Sequence, residues 1–303
     1  MFCRVATARQ GGTSPLLSAA SFAISLDWAM RAIRTRAVGR AFCSTANLGA
    51  GFDVFGLALN RYSDTVSARI TSGKKIRLIV RGLEGRNVPV EVERNSAGPP
   101  ALELAKKANL NKGLDIIVEK HVPQGLGLGS SGATAAACTK ALDALLDLQL
   151  SNDELVKVAS LGEKAVAGTA HADNVAASLL GGFAIVYDDP IRTISIKPPA
   201  GLAVVVATPR LPFQSEKTRK ARKIIPDKIS VQNAVLNVGR ASAMAVAFAQ
   251  GDAGPSLVAL VDRNSRAPRR VAQAMVKAFA RNSVRSTSFI ARPAPGATIV
   301  KES

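Results

Sequence analysis

Histidine and cysteine are nearly missing from this chain, and their scarcity restricts its chemistry. Among 303 residues there are two histidines, His121 and His171, and three cysteines, Cys3, Cys43 and Cys138. The usual nitrogen and sulfur spacings of a zinc site cannot be built from these, so any metal must be held by oxygen ligands. Cysteines odd in number and far apart fit free thiols in a reducing compartment, and a cytoplasmic setting is expected. Aromatic residues make up 4% of the chain against 47% hydrophobic residues overall, so the core has to be aliphatic and alanine-rich. No apolar run approaches the length of a membrane span, and no membrane partner is expected. Acidic residues are also few: 22 face 40 lysines and arginines, a formal net charge of +18. A charge of that size attracts polyanions. Basic residues crowd positions 210–228 and 263–285, but neither stretch interleaves the aromatics that stack on bases, and no known nucleic-acid motif appears. Nonspecific binding at low salt is expected, a specific nucleic-acid partner is not.

The stretch "VPQGLGLGSSGATAAA" (122–137) carries the strongest local signal. Before it, "GLDIIVEKHV" is short and β-branched and reads as a strand that Pro123 ends. After it, strong helix formers recur at helical spacing. A helix start leaves backbone N–H groups unpaired at the positive end of the macrodipole, and Gly125, Gly127 and Gly129 let that backbone come close to a bulky anion. A P-loop would need a lysine directly after its last glycine, and none occurs between Gly129 and Lys140. Gly127, Gly129 and Gly132 satisfy a dinucleotide fingerprint, but Asp153 and Glu154, at the spacing of its acidic residue, open another helix instead of closing a strand. Two readings remain: a phosphate loop of another kind, or a packing turn before an alanine-rich helix.

The rest of the chain mixes strands and helices without a steady alternation, so the class is α+β. Strand-like segments cover 31–42, "DTVSARI" and "KIRLIV", with a glycine turn after the first. A helix is expected from about 99 to 108. Ser151 and Glu154 have capping-box spacing before "NDELVKVASLGEKAVAG". "AHADNVAASLLGG" reads as a turn and a short helix closed by Gly181 and Gly182. Strands "FAIVY", "TISI" and "LAVVVA" follow, then the basic segment, a helix over about 230–250, strand "SLVALV" and helix "PRRVAQAMVKAFAR". Residues 1–29 are rich in serine and alanine with a single acid, Asp27. They read as a transit peptide or as an extension from a misplaced start ahead of Met30, and are set apart from the fold. The expected domains are 30–190 and 191–303.

Three stretches together, "STANLGAGFDVFGLAL" (44–59), "PQGLGLGSSGA" (123–133) and "GEKAVAGTAHADNVA" (162–176), resemble the GHMP small-molecule kinases. The first and third are similar to the homoserine kinase branch. The resemblance implies a two-domain α+β fold, with a ribosomal protein S5 domain 2-like N-terminal domain and a ferredoxin-like C-terminal domain. It implies ATP-dependent phosphorylation of L-homoserine to O-phospho-L-homoserine on the way to threonine, with Mg²⁺. Pro123, Gln124, Gly125, Leu126, Gly127, Leu128, Gly129, Ser130, Ser131, Gly132 and Ala133 would wrap the ATP phosphates, with Asn95 near the nucleoside. Ser130 or Ser131 would join Glu163 around the metal. Asn47, Asp53, His171, Thr218 and Arg222 would hold the substrate. Asn174 stands where related kinases carry an aspartate base; an amide cannot take a proton, so catalysis would rest on alignment and electrostatics. Relatives of this kind are often homodimers. One departure is large: after "FAQGD", Asp252 runs straight into "AGPSLVALV". Several tens of residues of the C-terminal domain, with an arginine that grips the substrate carboxylate, are missing there. Rival readings are a shikimate- or mevalonate-type kinase, or a catalytically impaired paralogue acting as a basic binding protein.

Overall fold

A computed structural model describes residues 34–167, 171–209, 228–250, 259–264 and 266–303. The chain divides into two units, Met1–Arg34 and Thr35–Ser303, and the second is described here. It opens with a long antiparallel hairpin, β1 (Arg36–Leu48) and β2 (Gly51–Thr71). Strand β1 starts at Arg36, residues 31–33 of the expected segment lying outside the described ones, and β2 reaches far beyond the "DTVSARI" segment expected. Asn47, Gly49 and Asp53 at the tip all have positive φ, which Asn, Asp and Gly adopt at least cost. Those residues read as a loop, yet they lie within the hairpin, at a register shift between Ala46 and Leu48.

Strand β2 is the spine of the main sheet. Its C-terminal half pairs with β4 (Gly113–Glu119), and Phe55 to Leu57 pair with β5 (Phe183–Tyr187). Beyond β4 lies β3 (Ile76–Arg81), parallel to it; a parallel pair needs a crossover, and helix α1 (Gly98–Lys107) is part of it. On the other side of β5 lies β6 (Arg192–Ile196), so the boundary expected at 190 falls inside the β5–β6 hairpin. Helices α2 (Ser130–Leu145), α3 (Asn152–Ala167) and α4 (Asp173–Leu180) pack with this sheet. Alanine makes α2 suited to a central place. Its residues from Gly132 to Ala137 are all buried, and a Cβ on Gly39 of β1 would lie 2.3 Å from the Ala137 carbonyl oxygen. Only small side chains permit that approach.

A second sheet has the order β8-β7-β9, from β7 (Leu202–Pro209), β8 (Ala259–Asp262) and β9 (Ser286–Ala291), with helices α5 (Val231–Gln250) and α6 (Ala267–Arg281). Phe183 stacks on Phe248 of α5 at 4.0 Å, joining a second apolar cluster around Phe55, Leu57, Leu202 and Val204. The last strand, β10 (Thr298–Glu302), returns to pair with β1. Neither β9 nor β10 was expected from the sequence. Among the described residues no helix is long and apolar enough to cross a membrane.

Candidate functional site

Strand β4 ends against a glycine loop, and α2 begins at Ser130. Gly125, Gly127 and Gly129 all have positive φ, so each supplies a backbone conformation that L-residues resist. They are not equivalent. A Cβ on Gly127 would meet nothing within 4 Å, whereas one on Gly129 would lie 2.3 Å from Ser44 Oγ and 2.7 Å from Asn174 Oδ1. Gly127 keeps open space in front of the loop; Gly129 lets it pack on β1 and α4. The loop is anchored along its length. Gln124 donates to the Glu84 carbonyl at 2.5 Å, the Ser44 N–H donates to Leu128 O at 3.1 Å, and Ser130 Oγ donates to Val122 O at 2.8 Å. That last bond ties the loop's two ends together. Gly132 lies over Asn174, where an added Cβ would find neighbours at 3.3 Å.

Beneath the loop lies a buried ion pair that sequence reasoning missed. Lys120 is 3% exposed and Asp64 fully buried. Asp64 Oδ2 accepts from Lys120 Nζ at 2.5 Å and from Thr134 Oγ1 at 2.7 Å, while Oδ1 accepts the His121 and Val122 N–H groups. The two residues stand 56 positions apart, and nothing in either local pattern marks them as partners.

Glu163 of α3 is buried at 8% exposure, its carboxylate hydrogen-bonded by Ser131. Burial, above all, pushes its carboxyl up to about 7; Ser131 and the Lys120 ammonium oppose that, and the Asp173 charge adds to it. Oε1 has no hydrogen-bond partner. A buried, half-satisfied carboxylate beside a hydroxyl is an oxygen donor set with capacity left for a hard cation, and it suits Mg²⁺. Between the two serines named for that role, Ser130 spends its proton on Val122 O and Ser131 faces Glu163.

At the hairpin tip, Asn47 Oδ1 accepts the Asp53 N–H at 2.9 Å, and His171 Nδ1 lies 3.7 Å from Asp53 Oδ1. The structure thus brings His171 to Asn47 and Asp53, more than a hundred residues earlier in the chain. Asn174, in the first turn of α4, lies against the glycine-loop side: Ser44 Oγ is 3.0 Å from its Oδ1 and 3.0 Å from Ser178 Oγ. Asp173 is the first residue of α4, and its Oδ1 accepts the Asn174 N–H. Asn95 is fully buried, its amide donating to Pro89 O at 2.6 Å and accepting from the Ala97 N–H at 2.9 Å. What it does here is hold the turn ahead of α1. Thr218, Arg222 and the junction at Asp252 lie outside the described residues. A cavity of about 810 Å³ elsewhere is lined by Arg36, Arg69, Arg77 and Asp115 of the main sheet, where both Arg69 and Arg77 pair with Asp115 at 2.8 Å.

Residues 96–182, which include the glycine loop, Glu163 and Asn174, match the family described as GHMP kinases N terminal domain. A homoserine kinase of Thermoplasma acidophilum is 40% identical over 211 residues, 69% of this chain and 66% of that one. One of Methanococcus maripaludis is 39% identical over 210 residues, covering 69% of this chain and 68% of that one. The matched part therefore spans about two thirds of the length of these relatives. The crystal structure of a homoserine kinase from Cytophaga hutchinsonii superposes with a TM-score of 0.77 at 25% identity, over 89% of this chain and 99% of that one.

Proposed function

Because the chain belongs to the homoserine kinase family of GHMP kinases, we propose that it transfers the γ-phosphoryl group of ATP to L-homoserine, giving O-phospho-L-homoserine. One observation carries this reading: an open glycine loop at the start of α2 stands next to a buried carboxylate, Glu163, with one oxygen left without a partner. The phosphates would lie against the N–H groups of the loop and the first turn of α2, where positive φ at three glycines turns the backbone and no side chain blocks Gly127. Ser131 and Glu163 would hold the magnesium ion, which when bound offsets the charge on the phosphate oxygens. Asp53, with Asn47 and His171 beside it, offers a carboxylate to the substrate ammonium. Asn174 has no basic atom for the hydroxyl proton, so its part is to align the substrate beside the loop. Transfer then depends on positioning and on a preorganised field.

An ADP-release assay with homoserine, mevalonate and shikimate in turn tests the reading. Turnover with homoserine alone is expected. Turnover with mevalonate or shikimate instead would move the chain to another branch. A second reading, an impaired paralogue that binds nucleotide without turnover, is favoured by the direct run of Asp252 into "AGPS", where the resemblance implies further residues. ADP release from none of the three substrates, with nucleotide still bound, would establish it.

A further inference from the structure

Lys120 stands one residue beyond β4, almost wholly buried, and its ammonium spends all three of its protons on protein acceptors. It donates to Asp64 Oδ2 at 2.5 Å, to the Ser130 carbonyl at 2.5 Å and to Thr134 Oγ1 at 2.7 Å. Asp64 in turn accepts the N–H groups of His121 and Val122. His121 and Val122 enter the glycine loop; Ser130 and Thr134 leave it. One ion pair, contributed by β2 and the end of β4, therefore closes both ends of the loop at once.

Two features set this apart from a pair kept only for stability. Buried ion pairs are commonly replaced by apolar residues without loss, but this pair spends its remaining capacity on backbone groups at both loop ends, which apolar side chains could not hold. An ammonium at a helix N-terminus also opposes the helix dipole, an arrangement that favours the fold less than it favours an anion lodged at the same place. The Asp64 carboxylate offsets most of the ammonium charge, so what the pair contributes at the α2 start is chiefly the fixed shape of the two loop ends.

We infer that Lys120 is a positioning residue for the nucleotide, acting through Ser130 and Asp64 to keep the glycine loop and the first turn of α2 in the shape that receives phosphate. The inference rests on the nucleotide reading above. Its test uses the full chain and four proteins: wild type, Lys120→Met, the double variant Lys120→Met/Asp64→Asn, and Thr134→Val. The double variant removes the stranded charge while keeping an acceptor for His121 and Val122. Calorimetry with a non-hydrolysable ATP analogue and Mg²⁺ gives affinity, thermal unfolding gives Tm, and steady-state kinetics give separate KM values for ATP and homoserine.

Lys120→Met is expected to lower both Tm and affinity. The double variant should recover most of the Tm, yet bind the analogue at least roughly tenfold more weakly than wild type, the scale of losing one charge-assisted hydrogen bond, here that from Lys120 to the Ser130 carbonyl, which holds the loop in shape. The KM for homoserine should not move. Recovery of Tm and affinity together would reduce Lys120 to a structural role and overturn the inference. Should the double variant fail to fold, Thr134→Val decides: a several-fold loss of analogue affinity at constant homoserine KM supports the inference, and wild-type affinity overturns it. Wild-type protein that binds no analogue would instead overturn the nucleotide reading, and the role of Lys120 with it.

Discussion

Glu163 is the residue whose surroundings speak most directly about function. A carboxyl raised by burial to about 7 from its ordinary 4.5 binds more protons in the folded than in the unfolded chain between those values. Stability of the Mg²⁺-free protein should therefore be greatest below about pH 4.5 as far as this group is concerned, and fall as pH rises toward 7, by roughly 3 kcal/mol at most. Glu163→Gln should flatten that part of the stability profile in urea titrations at a series of pH values. The same variant should lower turnover and raise the Mg²⁺ requirement; an unchanged metal titration would remove Glu163 from the metal site. The glycines allow a sharper separation. Gly127→Ala adds a methyl group that meets nothing, so beyond about 1 kcal/mol of left-handed strain its effect should fall on ATP affinity. Gly129→Val has to push aside Ser44 and Asn174, and should lose stability and nucleotide binding together. Equal thermal stability of the two variants would refute that distinction. The loop was legible in the sequence because its chemistry is local: glycines, a strand before, a helix after. Lys120 and Asp64 were not, because a buried charge is recognised only by its partner, and the partner is distant in sequence.

Elements were legible where their boundaries are marked by side chains that bond nearby. The capping box of α3 is present: the Ser151 N–H donates to Glu154 Oε2 at 3.1 Å, and the Glu154 N–H points back to Ser151 Oγ at 3.4 Å. Ser151→Ala should cost about 1 kcal/mol in chemical denaturation and leave kinase kinetics alone, since the cap is at the end of α3 away from Glu163. Activity falling in step with that substitution would mean that α3 positions Glu163 less rigidly than its packing implies. Elements were illegible where tertiary pairing decides. Strand β2 contains Gly51, Asp53, Gly56 and Asn60, all poor strand formers. It stays in the sheet because β1 and then β5 or β4 pair with it, and Gly56, where a Cβ would come within 2.3 Å of the Asp173 carbonyl oxygen, lets α4 sit directly on the strand. What reads locally as a breaker is there for close approach. Strands β9 and β10 escaped notice for a related reason: they are short, mostly half-buried or exposed, and held by ladders to β7 and β1.

Across the whole molecule the two halves of the reaction rest on unequal support. The proposed nucleotide end draws on β4, α2, α3 and α4, which pack around one alanine-rich core and hold Gly127, Ser131 and Glu163. The proposed homoserine end has Asn47, Asp53 and His171 at the hairpin tip, joined to α5 through the bond from Asn237 to Ala50 O at 3.0 Å. Beyond these it depends, by resemblance, on Thr218 and Arg222 and on an arginine for which the run from Asp252 into "AGPS" leaves no place. A carboxylate gripped by an arginine gains a charge-assisted interaction of roughly 1.5 to 3 kcal/mol, so its absence should weaken homoserine binding about ten- to a hundredfold. The chain is accordingly expected to bind a non-hydrolysable ATP analogue as a complete kinase does, and homoserine poorly. Calorimetry with each ligand alone measures this, beside a version of the chain in which the segment after Asp252 is restored from a relative. The restored chain should gain homoserine affinity with no change toward the analogue. If both bind homoserine equally well, the missing residues lie outside the substrate site, and a cation among the many at positions 210–228 grips the carboxylate in this protein.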